Sequence, residues 1–104
     1  MNASERVVIF TRVTALPGKR DELAAAFADL HDAVALEPGC EMFIMHAARD
    51  EPDILLFYEV FDDQAALEAH QESDAVRAIG SRMGELVAAP TQVTYATILR
   101  AKGA

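Results

Sequence analysis

The stretch Ile54 to Phe61, reading ILLFYEVF, constrains this chain most, because its eight residues admit a single charge, Glu59. At the period of two of a strand, Ile54, Leu56, Tyr58 and Val60 fall on one side and Leu55, Phe57, Glu59 and Phe61 on the other. Both faces are apolar, so the strand belongs inside a sheet that is covered on both sides. A carboxylate in such a strand is costly unless it is paired or protonated, which makes Glu59 a candidate for function.

A second stretch behaves the same way. Arg6 to Ala15, RVVIFTRVTA, is rich in β-branched residues. It puts Val7, Ile9, Thr11 and Val13 on one face and Val8, Phe10 and Arg12 on the other. It reads as a central first strand, broken at Pro17-Gly18. From Lys19 to Leu36 the period changes, with Leu23, Phe27, Leu30 and Val34 at three- and four-residue steps, the pattern of an amphipathic helix. Glu37-Pro38-Gly39 stops it. Cys40 to Ala47 is a second strand, with Cys40, Met42, Ile44 and His46 expected opposite Glu41, Phe43, Met45 and Ala47. The charged turn with Pro52 makes strands two and three a hairpin.

After strand three, Asp62 or Asp63 can cap a short helix with Ala66, Leu67 and His70 near one face, and Ser73 can cap a longer piece with Val76, Ile79, Met83 and Leu86. Pro90 is expected to end that second helix. Thr91 to Leu99 is the fourth strand, with Val93, Tyr95, Thr97 and Leu99 on one face, and the tail Arg100 to Ala104 is expected to be loose. The order strand, helix, strand, strand, helix, strand is that of an α+β, ferredoxin-like split βαβ fold, an antiparallel sheet with helices on one face. Two helices cover one face only. Strands apolar on both sides then leave a hydrophobic patch, and a homodimer packed sheet against sheet is the simplest cover.

Composition bounds the partners. With 104 residues, 52% of them apolar, residues 1–104 form one domain. The net charge of -8 speaks against nucleic acid or an anionic membrane surface and leaves small neutral or apolar ligands. A lone Cys40 forms no intramolecular disulfide and no zinc site, so a cytoplasmic setting is the default. Met1 to Arg6 is short and polar and reads as no targeting leader, and no apolar run approaches the roughly 18 residues of a membrane span.

Among the histidines, His31 reads as a solvent-edge residue, while His31, His46 and His70 share no metal-ligand spacing. Met42 and Met45 point to opposite faces and read as packing. Arg12 is the expected partner of Glu59, in a pair that is either structural or orients His70. Tyr58, Tyr95 and Thr11 can hydrogen-bond a substrate oxygen, and equally can be plain packing. Cys40 reads as a small buried hydrophobe.

Pro17-Gly18-Lys19 before helix one, Glu37-Pro38-Gly39-Cys40 before strand two, Tyr58-Glu59-Val60-Phe61 ending strand three, and His70 with Ser73 after it resemble the antibiotic biosynthesis monooxygenase family of small dimeric α+β barrel proteins. The likeness runs over nearly the whole chain. It implies a cofactor-independent oxygenase acting with dioxygen on a quinol, an anthrone or a similar electron-rich phenol. It also implies a pocket between sheet and helices. The haem-degrading branch of the family resembles a pattern with an asparagine, a tryptophan and a haem-ligating histidine where this chain has Thr11, His70 and Gly80. A sugar-phosphate isomerase branch also carries a histidine near position 70, and a non-catalytic module binding an aromatic metabolite stays open as well. In the oxygenase reading His70 is the base, since imidazole titrates near neutral pH. Ile9, Thr11, Phe43, Phe57, Tyr58, Glu59, Phe61 and Tyr95 are the residues expected around the aromatic substrate.

Overall fold

The two strands that are apolar on both faces do lie at the centre of one sheet. In the computed structural model, which describes residues 5–103, β1 (Val7–Thr14) pairs antiparallel with β3 (Ile54–Phe61) on one side and β4 (Gln92–Ala96) on the other. With β2 (Cys40–Ala47) on the far side of β3, the order is β2-β3-β1-β4, an antiparallel ferredoxin-like sheet. Met1 to Ser4, part of the polar start read above, and Ala104 lie outside the described residues.

Three helices cover one face: α1 (Arg20–Val34), α2 (Gln64–Gln71) and α3 (Asp74–Met83). The break between α2 and α3 follows from two N-caps ten residues apart in sequence: Asp63 accepts from the Ala66 N–H and Ser73 from the Val76 N–H. The periodic residues Leu23, Phe27, Leu30 and Val34 of α1 and Ile79 of α3 are buried against Val13, Leu55 and Phe57 of the sheet.

Three boundaries differ from expectation. The helix ends at Met83, well before Pro90, because Leu86 is drawn into the core and the chain returns to the end of β1, where the Leu16 N–H donates to the Leu86 carbonyl and the Ala88 N–H to the Thr14 carbonyl, both at 2.8 Å. β4 stops at Ala96. Residues Ile98 to Ala101 leave the ladder and border a groove with Val8, Phe10 and Tyr58, so the start of the tail lies along the sheet. In β2, Cys40 pairs with Phe61 and Met42 with Val60, a bulge that adds one residue. Cys40 therefore joins the helix side instead of sharing a face with Met42.

The turn between α1 and β2 is packed tightly on α2. A methyl group added at Gly39 would come 2.5 Å from Cβ of Ala66, and the Gly39 carbonyl accepts the Asp62 N–H at 2.9 Å. Gly39→Ala is therefore expected to cost about 1–3 kcal/mol in urea unfolding, by the overpacking it forces. A variant as stable as the parent would show that the turn can move off α2.

No helix among the described residues covers the opposite sheet face. Phe10 and Ile44 are 49% and 42% exposed there. Beside them lie the half-buried Leu56 and Tyr58, the Phe10 and Tyr58 rings 5.3 Å apart.

Candidate active site

Strand alternation turns Glu59 toward the helices, and the register sets it between Ile9 of β1 and Phe43 of β2, in the middle of the sheet. Above it lies the last turn of α2. Leu67 and His70, three residues apart, form the buried side of that helix, and the His70 ring packs 4.9 Å from the Phe61 ring. Because Gly39 brings its turn against α2, Glu37 reaches His70: Nδ1–H donates to Oε1 and Oε2 of Glu37 at 3.0 and 3.3 Å. A carboxylate only accepts, so this contact assigns the ring proton to Nδ1 and leaves the Nε2 lone pair free.

Nε2 points toward Glu59, whose Oε1 is 3.8 Å away. That is too long for a direct hydrogen bond and leaves a gap that a substrate oxygen could bridge. The other Glu59 oxygen accepts a long bond, 3.4 Å, from the Thr11 hydroxyl. Glu59 is 7% and His70 8% exposed. Burial pushes the Glu59 carboxyl up to about 7; the Thr11 hydroxyl opposes the shift and the Glu37 charge adds to it.

His70 and Glu59 open onto a cavity of about 270 Å³ between sheet and helices. Thr11, Val13, Phe43 and Phe57 form its floor; Phe27 and Leu30 of α1 and Val76, Ile79 and Met83 of α3 form its roof, with Thr91 at one end. Among the described residues that line it, Glu59 and His70 are the only titratable ones.

Of the residues expected around a substrate, Thr11, Phe43, Phe57, Glu59 and His70 meet in this cavity, and Phe61 with Ile9 backs it in a small cluster with Leu67. Two do not meet there. Tyr58 lies on the opposite sheet face with Phe10, since an even step from Val60 keeps it there, and that expectation is corrected. Tyr95 is on the helix side but 57% exposed, receiving a bond from Gln71 Nε2 at 3.2 Å in a separate cleft beyond α2. The Arg12–Glu59 pair is also corrected. Arg12 partners Leu56 in the register, and so faces away from Glu59 and pairs with Glu51.

Glu37 is the residue the sequence reading passed over. One signal was present: an acid just beyond a helix C-terminus opposes the helix dipole, which asks for a compensating partner. The Cys40 thiol is pushed up to about 11 by burial and by the nearby Glu37 and Glu59 charges, and its sulfur donates to the Met42 carbonyl, so it is a poor nucleophile.

A family model described as antibiotic biosynthesis monooxygenase matches residues 6–82, which include every residue of the site except Met83 and Thr91. The chain belongs to the antibiotic biosynthesis monooxygenase family. Among solved structures of similar fold, a Shewanella oneidensis protein is 31% identical with a TM-score of 0.85, over 89% of this chain and 90% of that one. A Caulobacter crescentus protein, provisionally named an antibiotic biosynthesis monooxygenase, gives 0.87 at 24% identity, over 94% and 93% of the two chains. An uncharacterized protein of Synechocystis is 24% identical over 91 residues, 88% of this chain, and the chain spans 62% of that curated relative's length. No helix among the described residues is long and apolar enough to cross a membrane.

Proposed function

We propose that this member of the family is a cofactor-independent monooxygenase that oxidises a small quinol, anthrone or similar electron-rich phenol with dioxygen. One observation carries the reading: a histidine whose Nδ1–H is tied to Glu37 presents its free Nε2 to an apolar cavity. Nε2 takes the phenolic proton, and the phenolate gives an electron to dioxygen in the dry space the aromatic side chains enclose. The radical pair joins as a peroxide, and loss of water leaves a carbonyl. One atom of dioxygen enters the product and the other departs as water.

The volume, about 270 Å³, lies just under the roughly 300–1,000 Å³ of drug-sized pockets, which favours one- or two-ring substrates over larger ones. Among the described residues the cavity walls offer no lysine or arginine, and Arg12 is on the other sheet face. A phosphorylated sugar would lack a counter-charge here, so the isomerase reading loses support. The test is oxygen uptake with a panel of hydroquinones and bicyclic phenols, together with product analysis. Phenol-dependent uptake supports the oxygenase. Ligand-induced thermal stabilisation without uptake or product would instead make the chain a binding module.

We propose as well that two copies pack through the open sheet face around Phe10 and Ile44. Light scattering at micromolar concentration is expected to give twice the mass of one chain, and Phe10→Glu to return it to one, by placing a charge in an apolar interface. A parent protein with the mass of a single chain would rule the dimer out.

A further inference from the structure

We infer that the cavity selects a two-ring phenol whose second, neutral polar group lies at the far end of its long axis from the reacting hydroxyl, and that the end of the cavity at Thr91 makes the selection. The inference rests on the reading of His70 as the base of this cavity, and not on any step with dioxygen.

The cavity runs along β1. Glu59 pairs with Ile9 in the register and His70 lies over Glu59, so the reacting end is at the level of Ile9. Val93 pairs with Thr11, which puts Thr91, two residues earlier in the antiparallel neighbour, at the level of Val13. From Ile9 to Val13 is four residues of strand, roughly 13 Å. The roof follows the same direction. Val76, Ile79 and Met83 line the cavity at three- and four-residue steps of α3. The first of them follows His70 closely in the chain, and the last leads into the turn that returns to the end of β1, where the Ala88 N–H meets the Thr14 carbonyl.

The two ends differ in their access to water. At the reacting end Glu59 and His70 are buried, and the Phe43 ring stands 5.5 Å from that of His31 and 6.0 Å from that of His70. Between the ends stand Phe27, Leu30, Phe57 and Ile79, all buried and none with a hydrogen-bonding side chain. At the far end Met83 is half-buried and Thr91 is exposed. A polar group on a long side of the substrate would lose its water to those four side chains and gain no partner, whereas the same group at the Thr91 end keeps its water. Among the described residues that line the cavity there is no lysine or arginine, and the net charge of -8 disfavours an anion, so the group is neutral. The family model ends at residue 82, so the reacting end lies within the matched residues, while Met83 and Thr91 at the selecting end lie outside them.

The experiment titrates the full chain with 5-, 6- and 8-cyano-2-naphthol and reads the naphthol fluorescence, which no tryptophan obscures. The isomers share their rings, their single hydroxyl and their nitrile; only the 6-cyano isomer carries the nitrile along the long axis. It is expected to bind about 10-fold more tightly than the other two. Thr91→Phe, at an exposed position and checked for folding by circular dichroism, is expected to weaken the 6-cyano isomer to the level of the others and to leave the shorter 2-naphthol close to its parent value. The methyl ether of the 6-cyano isomer is expected to bind about 10-fold less tightly than the free phenol, since it offers Nε2 no proton. Equal affinity for the three isomers, or a preference that a folded Thr91→Phe leaves unchanged, would overturn the inference. So would a methyl ether that binds as well as its phenol. None of these readouts needs turnover. Preference for the 6-cyano isomer without phenol-dependent oxygen uptake removes only the oxygenase, and uptake without that preference removes only this inference.

Discussion

His70→Gln is expected to lower phenol-dependent oxygen uptake by about 10²–10⁴-fold, the usual worth of a positioned general base. Glutamine approximates the imidazole in size, and its amide can still donate to Glu37, so the core around Phe61 and Leu67 should hold. What disappears is the Nε2 lone pair facing the cavity. A base that acts on bound substrate should show its loss mainly in kcat, with KM close to the parent value. Uptake measured with an oxygen electrode, beside circular dichroism to confirm the fold, checks this. A folded His70→Gln with undiminished uptake would take the base role away from this residue.

Glu59 is expected to make the protein less stable as pH rises from about 4.5 to about 7, and Glu59→Gln to abolish that loss. The sign follows from proton binding. Burial raises the folded-state pKa from 4.5 to about 7, so between those values the unfolded chain has released the proton while the folded chain still holds it. Stability then falls with pH, is fully present below the unfolded value, and levels off above the folded one. The shift corresponds to an order of 3 kcal/mol. The measurement is the difference between parent and Glu59→Gln in urea unfolding at pH 5 and pH 8. A difference that is the same at both pH values would mean that Glu59 ionises as freely in the fold as in the unfolded chain. The expected result has a further meaning: the carboxyl is kept at a cost in stability, as acids placed for catalysis often are.

Much of this was legible in the chain alone. Strand alternation sets Phe57 and Glu59 opposite Tyr58 in ILLFYEVF, and Thr11 opposite Phe10 and Arg12 in RVVIFTRVT, because a period of two is a local property of extended backbone. The three- and four-residue steps of Leu23, Phe27, Leu30 and Val34 fix the buried side of α1 in the same way. Two caps, Asp63 and Ser73, announce the break between α2 and α3.

Where local rules met competition, they failed. The bulge at Cys40 moved one thiol across the sheet; the pull of Leu86 into the core ended α3 before Pro90; and the Arg12–Glu59 pair dissolved once alternation was applied to both strands together, a step that was open to sequence reasoning. By itself the sequence determined the order of elements and which residues alternate along each central strand. Only the tertiary structure decided that Glu37, 33 residues from His70, would bind its Nδ1, and that Nε2 would stop 3.8 Å short of Glu59. The reason is physical. Periodicity arises between neighbours in the chain, whereas these contacts depend on Gly39 letting one turn come within contact of Ala66 on another helix, a distance set by packing and not by spacing.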